Sequence, residues 1–359
     1  MTISSLTLRG FRNYSTADLS FEPGVTILTG DNGSGKTNLL EAIHLLADGR
    51  SFRTARDERL VKNGEPGYYV KGVFISDNGD ERRVEVSSFD KVKRVAVDGK
   101  EVRTRREIIG RFLAVVFLPA DVSLIDGEPS RRRDFFNMLI SNVDAAYLAA
   151  LVEYYGVLKH RNAALKVQSP DYTVFDDRLA ELGYFIIERA NAYAEIIARS
   201  MNDSFTALFG TAGGYAIRYE NGAGDITSAD SFAARLKAQA GRDVKMRTTS
   251  IGPQRGDFRL FAHDTEIRHF SSQGEKRLAA VIMNIARQSV IARERNERPI
   301  LLIDDALLEL DAPRRARVLD YMKDRGQMFI TVTDVSRAGG VSGTVIDVPV
   351  ITGLLPRII

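Results

Sequence analysis

The sequence predicts an α/β domain assembled from both ends of the chain, with a mainly helical lobe inserted in its middle. Three observations carry this reading. Up to about residue 125 the pattern is one of strands punctuated by a single helix. From Ser130 onward apolar residues recur at spacings of three and four, which is one face of a helix. After about Arg242 an alternation of strands and helices returns. The boundaries that follow are 1–127 together with 243–359 for the discontinuous domain, and 128–242 for the insert. A chain of 359 residues, 44% of them hydrophobic, is long enough to bury a core in each. No internal repeat is visible.

Each element has a local reason. Met1 to Leu8 alternates apolar and polar residues, as a half-buried strand does. Val25 to Thr29 is a short apolar strand that runs into a glycine-rich turn and then an apolar helix, Leu39 to Ala47. Val92 to Val102 reads as a hairpin, because Asp98-Gly99 tolerates the positive φ of a tight turn. Leu113 to Leu118 is continuously apolar, as expected for a strand buried on both faces. In the insert, Phe136, Leu139, Ile140, Val143 and Tyr147 mark one helix face, and a longer periodic run extends from Phe175 to Leu208. Glycines at 213–214 and 222–224 mark turns. Ile300 to Ile303 and Met328 to Val332 are two further short apolar strands with a helix between them.

Composition bounds the function classes. The 50 Lys+Arg against 47 Asp+Glu leave a net charge of only +3, so local basic clusters matter more than the sum. There is no cysteine, which excludes disulfides, thiolate metal sites and cysteine nucleophiles. The N-terminus lacks the pattern of a secretion signal, and no run of ~18 apolar residues offers a membrane span. The expectation is a soluble, cytoplasmic protein with no membrane partner.

The most specific local pattern is Gly30-Asp31-Asn32-Gly33-Ser34-Gly35-Lys36-Thr37, which fits G-x-x-x-x-G-K-[ST] at every fixed position and is followed by Asn38. A strand precedes it and a helix follows. The glycines let backbone N–H groups curl around phosphates, and the helix N-terminus favours an anion. Lys36 would reach the β and γ phosphates of ATP, and the Thr37 hydroxyl would hold Mg²⁺. Ile300-Leu301-Leu302-Ile303-Asp304-Asp305 delivers carboxylates at the end of an apolar strand, where α/β sheets place ligands. Asp304 is the candidate second metal ligand, and Asp305 the residue placed to orient or activate the attacking water. Upstream, Ser272 and Gly274 precede the apolar run Leu278 to Ala286, and a Ser and a Gly before a helix N-terminus make a second anion site.

Phe270 to Arg277 resembles the signature motif of the ABC-type ATPases, with Ser272 matching its serine and Gly274 its second glycine. The resemblance implies an ABC-type ATPase head, a phosphate-loop fold of mixed sheets and helices, in which the signature meets the γ-phosphate held by the partner subunit. Leu308 to Asp311 resembles the D-loop of that superfamily. Thr331-Val332-Thr333-Asp334 ends a strand where such ATPases keep a γ-phosphate sensor, and Asp121 stands in the region of the Q-loop. More specifically, Leu8 to Tyr14, Gly30 to Asn38, Gly49 to Thr54, Gly252 to Arg255, Ser272 to Arg277 and Leu302 to Asp305 together resemble the bacterial RecF family, in the family's order across nearly the whole chain. Arg12 and Asn13 match family positions near the bound nucleotide. Gln254, Gly256, Leu308 and Asp334 depart from the usual pattern, which has His, an acidic residue, Ser and His there.

The resemblance implies an ATP-dependent homodimer that binds double-stranded DNA near single-strand gaps, and a weak DNA-stimulated ATPase that resets it. It also implies work with RecR and RecO to load RecA. The alternatives are a chromosome-organising ATPase of the SMC kind and, less well matched, a transporter ATPase subunit. From the residues themselves, sequence-independent DNA binding requires Lys and Arg against phosphates. Arg131, Arg132 and Arg133 form the leading cluster; Lys91, Lys93 and Arg94, then Arg103, Arg105 and Arg106, are two others.

Overall fold

The computed structural model describes residues 1–348, and the chain divides into two compact units, Met1–Asp121 with the chain from Arg277 onward, and Val122–Lys276. The first unit opens with β1 (Thr2–Phe11), β2 (Tyr14–Ser20), β3 (Val25–Thr29), α1 (Lys36–Asp48), β4 (Gly67–Ile75), β5 (Glu81–Phe89), β6 (Val92–Val97), β7 (Lys100–Glu101) and β8 (Ala114–Phe117). The second contains α2 (Ser123–Asp126), α3 (Pro129–Val143), α4 (Ala145–Lys166), α5 (Asp176–Phe209), β9 (Tyr215–Glu220), α6 (Ala229–Met246), β10 (Asp257–Ala262), β11 (Thr265–Glu266) and α7 (Ile267–Phe270). α8 (Gln273–Arg295) carries the chain back, and β12 (Ile300–Asp304), α9 (Ala312–Met322), β13 (Met328–Thr331) and β14 (Thr344–Asp347) complete the first unit.

Two sheets form the first unit. One is antiparallel, in the order β2-β1-β4-β5-β6-β7, and it alternates: Ile3, Leu6 and Leu8 of β1 are buried while Thr7 and Arg9 are not. The other is parallel, in the order β14-β3-β13-β12-β8, and its inner strands are mostly apolar, with Ile300 to Ile303 at most 1% exposed. α1 packs against strands of both sheets. Its apolar side chains Leu39, Leu40, Ile43 and Leu46 are all buried. The helix approaches β4 so closely that a Cβ on Gly72 would lie 2.6 Å from Leu46. The predicted hairpin is present, with Asp98 and Gly99 at φ 51° and 76° between β6 and β7.

In the second unit the long periodic run forms α5, 34 residues in one helix. The face read from Phe136 to Tyr147 is broken in two. Asp144 leaves the helical region and accepts the Tyr147 N–H at 2.9 Å, so it caps α4, and Tyr147 lies on that next helix. The boundaries also differ from those expected. The second unit starts at Val122 and runs to Lys276, beyond the expected 242. The reason is that β10 pairs with β9 over six residues, and Phe258 of β10 stacks on Phe136 of α3 with ring centroids 3.8 Å apart. The unit is therefore helical with a three-stranded sheet, β11-β10-β9.

Arg161 joins three helices of this unit. Its side chain is fully buried and donates to Asp176 and Asp243 at 2.7 Å each, and to Thr249 at 2.8 Å. Removing one member of such a network leaves buried charge uncompensated, which costs about 3–5 kcal/mol. Arg161→Ala is expected to lower the unfolding free energy of the second unit by about that amount. Urea unfolding followed by hydrogen exchange in α4 and α6 would report it, and an unchanged midpoint would show that the network contributes nothing.

Candidate nucleotide site

The phosphate-loop segment connects β3 to α1 and is moulded from behind. Gly35, the residue before α1, has φ 116°, and a Cβ there would lie 2.6 Å from Asn13 Nδ2 and 2.7 Å from the Tyr14 hydroxyl. Only glycine fits both conditions. Asn13 Nδ2 donates to the Ser34 carbonyl at 3.0 Å, the Tyr14 hydroxyl donates to the Gly35 carbonyl at 3.1 Å, and Asn38 Nδ2 donates to Asn13 Oδ1 at 2.9 Å. Lys62 Nζ in turn donates to the Asn13 carbonyl at 3.0 Å. Burial raises the Tyr14 pKa well above that of an ordinary phenol, so this donor keeps its proton.

The loop fits a polyphosphate. Lys36 is buried and donates to the carbonyls of Gly30 at 2.6 Å and Asp31 at 2.9 Å, which draws its ammonium inside the curl. Ser34 Oγ is buried without a hydrogen-bond partner. No acidic residue occupies the first turn of α1 to compete for its N–H groups. Of the remaining predicted loop residues, Asp31, Asn32 and Gly33 are exposed, and a Cβ on Gly33 would meet nothing within 4 Å.

Thr37, the second residue of α1, donates its hydroxyl to Asp304 Oδ1 at 2.7 Å, across 267 positions of sequence. A hydroxyl and a carboxylate oxygen side by side form the oxygen-donor pair that Mg²⁺ takes together with phosphate oxygens. Thr331, paired with Asp304 in the parallel register, lies beside both carboxylates, 3.1 Å from Asp304 Oδ1 and 3.4 Å from Asp305 Oδ1, and accepts the Asp305 N–H at 3.0 Å. Asp305 takes the left-handed conformation at φ 52°, uncommon for a residue other than glycine. Burial raises the Asp304 pKa above the ordinary carboxylate range. Hydrogen bonds from Thr37 and Thr331 oppose that shift, neighbouring Asp305 adds to it, and Arg53 opposes it.

Other expected residues are engaged by the chain itself. Arg12 makes a two-pronged contact to buried Glu41 of α1 at 2.7 and 2.6 Å and donates to the Arg59 carbonyl at 2.8 Å. Ser51 also donates to Glu41, and Arg53 reaches Asn38 Oδ1 at 2.9 Å. Tyr14, Ser51, Arg53 and Thr331 lie within motifs named from the sequence but carried no role of their own there, and Glu41 lies outside all of them. A lone Glu within the buried face of an apolar helix was the one available signal.

Ser272 and Gly274 are exposed, and nothing lies within 4 Å of a Cβ on Gly274. Ser272 caps α8, its N–H donating to Glu275 Oε2 at 2.7 Å while its hydroxyl accepts the Glu275 N–H at 3.3 Å. Asp121 accepts from the Leu118 N–H at 2.8 Å and from Asn284 at 2.9 Å, which fixes the end of β8. Asp334 is exposed and accepts the Ser336 N–H at 2.8 Å; the Ser336 hydroxyl first, and then this N–H, hold its carboxyl below the usual range. Gln254 accepts the Tyr154 hydroxyl, and Leu308 is half-buried. The leading arginine cluster needs correction. Arg132 is 4% exposed, forms a two-pronged ion pair with Asp257 at 2.7 and 2.8 Å and donates to the Gly127 carbonyl, so it holds α3 to β10 and is unavailable to DNA. Arg133 donates to the Gly256 carbonyl at 2.8 Å, and only Arg131 is fully exposed.

The family model described as the RecF/RecN/SMC N terminal domain matches residues 2–339. A DNA replication and repair protein RecF from Leptospira interrogans is 35% identical over 93% of this chain and 92% of its own length. The chain belongs to the RecF family. Another RecF, from Caldanaerobacter subterraneus, is 34% identical over 95% of this chain and 96% of its own. Among solved structures, the recombination mediator RecF with ATP, of the RecFOR pathway, superposes with a TM-score of 0.90 at 33% identity, covering 99% of this chain and 97% of that one. The Smc head domain of Pyrococcus furiosus shares the fold, with a TM-score of 0.58 at 19% identity, over 99% of this chain and 95% of that one. Both the ABC-type head fold and the RecF assignment agree with the motifs. Among the described residues no helix is long and apolar enough to cross a membrane.

The raised Asp304 pKa has a testable sign. The folded state holds the proton more tightly than the unfolded chain, so this carboxyl favours folding below about pH 4 and opposes it as pH rises through the elevated value. Asp304→Asn is expected to raise the thermal midpoint of nucleotide-free protein at neutral pH, with the gain vanishing below about pH 4. Calorimetry across pH would check this; a neutral-pH loss would contradict it.

Proposed function

We propose that this RecF-family chain is an ATP-dependent DNA-binding protein of recombinational repair. It dimerises on ATP, clamps double-stranded DNA near single-strand gaps and helps RecR and RecO to load RecA in the cytoplasm. Slow, DNA-stimulated hydrolysis resets it. The observation that carries the reading is the meeting of Thr37 and Asp304 beside the phosphate loop. It is supported by RecF relatives named for DNA replication and repair and by a RecF structure with ATP in the RecFOR pathway.

Lys36 and the N–H groups of residues 33–38 bind the phosphates. Thr37 and Asp304 would hold Mg²⁺, which would neutralise charge that develops on the phosphates. Asp305, fixed by Thr331, orients the attacking water. Asn13 holds the loop in shape, and Arg12 braces the turn that carries Asn13. Ser272 and Gly274, exposed at a helix N-terminus, meet the γ-phosphate held by a second copy. In this reading the first unit is the ATPase head and the second is a short arm-like lobe.

Molecular mass in solution with ATP, with ADP and without nucleotide tests the proposal. Lys36→Ala should abolish ATP binding, whereas Ser272→Arg should bind ATP normally and stay monomeric. A Ser272→Arg protein that still dimerises on ATP would remove the composite site.

A further inference from the structure

Segment 100–107 carries four cations, Lys100, Arg103, Arg105 and Arg106, against Glu101 and Glu107. It leaves the edge strand β7 with a fixed shape. The Thr104 N–H and hydroxyl both donate to Glu107, at 3.1 and 3.0 Å, forming a capping box that opens a short turn at Arg105–Glu107. Arg105 points inward. Its Nε donates to the Asp48 carbonyl at 2.9 Å and its Nη2 to the Asp48 carboxylate at 2.6 Å. Asp48 is the last residue of α1, the helix that begins at Lys36. One arginine of the three thus anchors the loop on the far end of that helix, about 20 Å from its first residue.

The anchoring leaves the other two exposed and unspent. Glu107 is committed to the capping box, and Asp48 is held by Arg105 with Arg50 at 3.4 Å. Among the described residues neither Arg103 nor Arg106 takes a side-chain hydrogen bond or ion pair. Arg132 and Arg133 of the leading cluster are engaged within the second unit, and of Lys91, Lys93 and Arg94 one, Lys93, is paired, with Asp57 at 2.8 Å. A rigid loop that presents guanidinium groups without local partners suits oxygens of a phosphate backbone, which arginine contacts with two parallel N–H groups.

We propose that Arg103 and Arg106 contact the phosphate backbone of duplex DNA, on a loop whose position is set by the phosphate-loop helix through Arg105 and Asp48. The inference rests on the DNA-binding reading above and assigns a surface to it. Because the loop is tied to α1, any shift of that helix that follows nucleotide binding moves the two arginines with it.

The test uses full-length protein with ATP, titrated against a short fluorescent duplex over a series of NaCl concentrations. Arg103→Ala/Arg106→Ala should bind roughly tenfold more weakly at low salt, with the slope of log affinity against log salt shallower by about 1.8, the value for two phosphates. ATP binding without DNA and the thermal midpoint should match the unaltered protein, and Arg103→Lys/Arg106→Lys should restore the slope. An unchanged slope in the alanine pair overturns the proposal, as does a lysine pair that fails to restore it. Displacement of the duplex by polyglutamate in the unaltered protein but not in the alanine pair would reassign the loop to an acidic protein partner. Absence of salt-dependent duplex binding by the unaltered protein would defeat the DNA-binding reading itself, and this surface with it.

Discussion

The parallel pairing of β13 with β3 on one side and β12 on the other is the constraint on which the site depends. β3 comes from the start of the chain and β12 from near its end, and β13 aligns them so that Thr331 lies beside both Leu28 and Asp304. All three strands are buried and apolar, so the register is held by the core. Once it is set, the loop after Thr29 and the carboxylates after Ile303 must emerge at the same edge of the sheet. The bond from Thr37 to Asp304 follows from this alignment.

Around that edge the structure uses charge to fix geometry. Glu41 is fully buried, and its partners Arg12 and Ser51 tie the β1–β2 turn and the segment after α1 to one point on the helix. Arg161 does the same for α4, α5 and α6 in the second unit. Buried ion pairs of this kind add little net stability compared with well-packed apolar residues, but their directional bonds tolerate few alternative arrangements. Asp304 is different, because burial works against its charge, and the hydroxyls of Thr37 and Thr331, with Arg53, oppose that cost.

Much of this was legible in the sequence. The phosphate loop, the strand leading to Asp304, the hairpin at Asp98-Gly99 and the long α5 were all marked by local periodicity or by turn residues with one conformational use. What was not legible depends on partners distant in sequence. Nothing near Arg132 announces that Asp257 neutralises it, so a run of three arginines read as a surface for DNA phosphates. The sheet of β9 and β10 extended the second unit past residue 242 because pairing, which no local window contains, assigned β10 to it. Tyr14 was legible only as the end of a family motif, and its role came from the close approach of Gly35, which gives its hydroxyl a carbonyl to bind.

That approach of Tyr14 and Asn13 to Gly35 has a consequence for inheritance. The loop does not own its shape, since part of its mould belongs to a turn of the antiparallel sheet. The two segments must therefore drift together over generations. A bulkier residue tolerated in one demands a smaller one in the other, and chimaeras that join the turn of one relative to the loop of another would inherit a mismatch that neither parent carries.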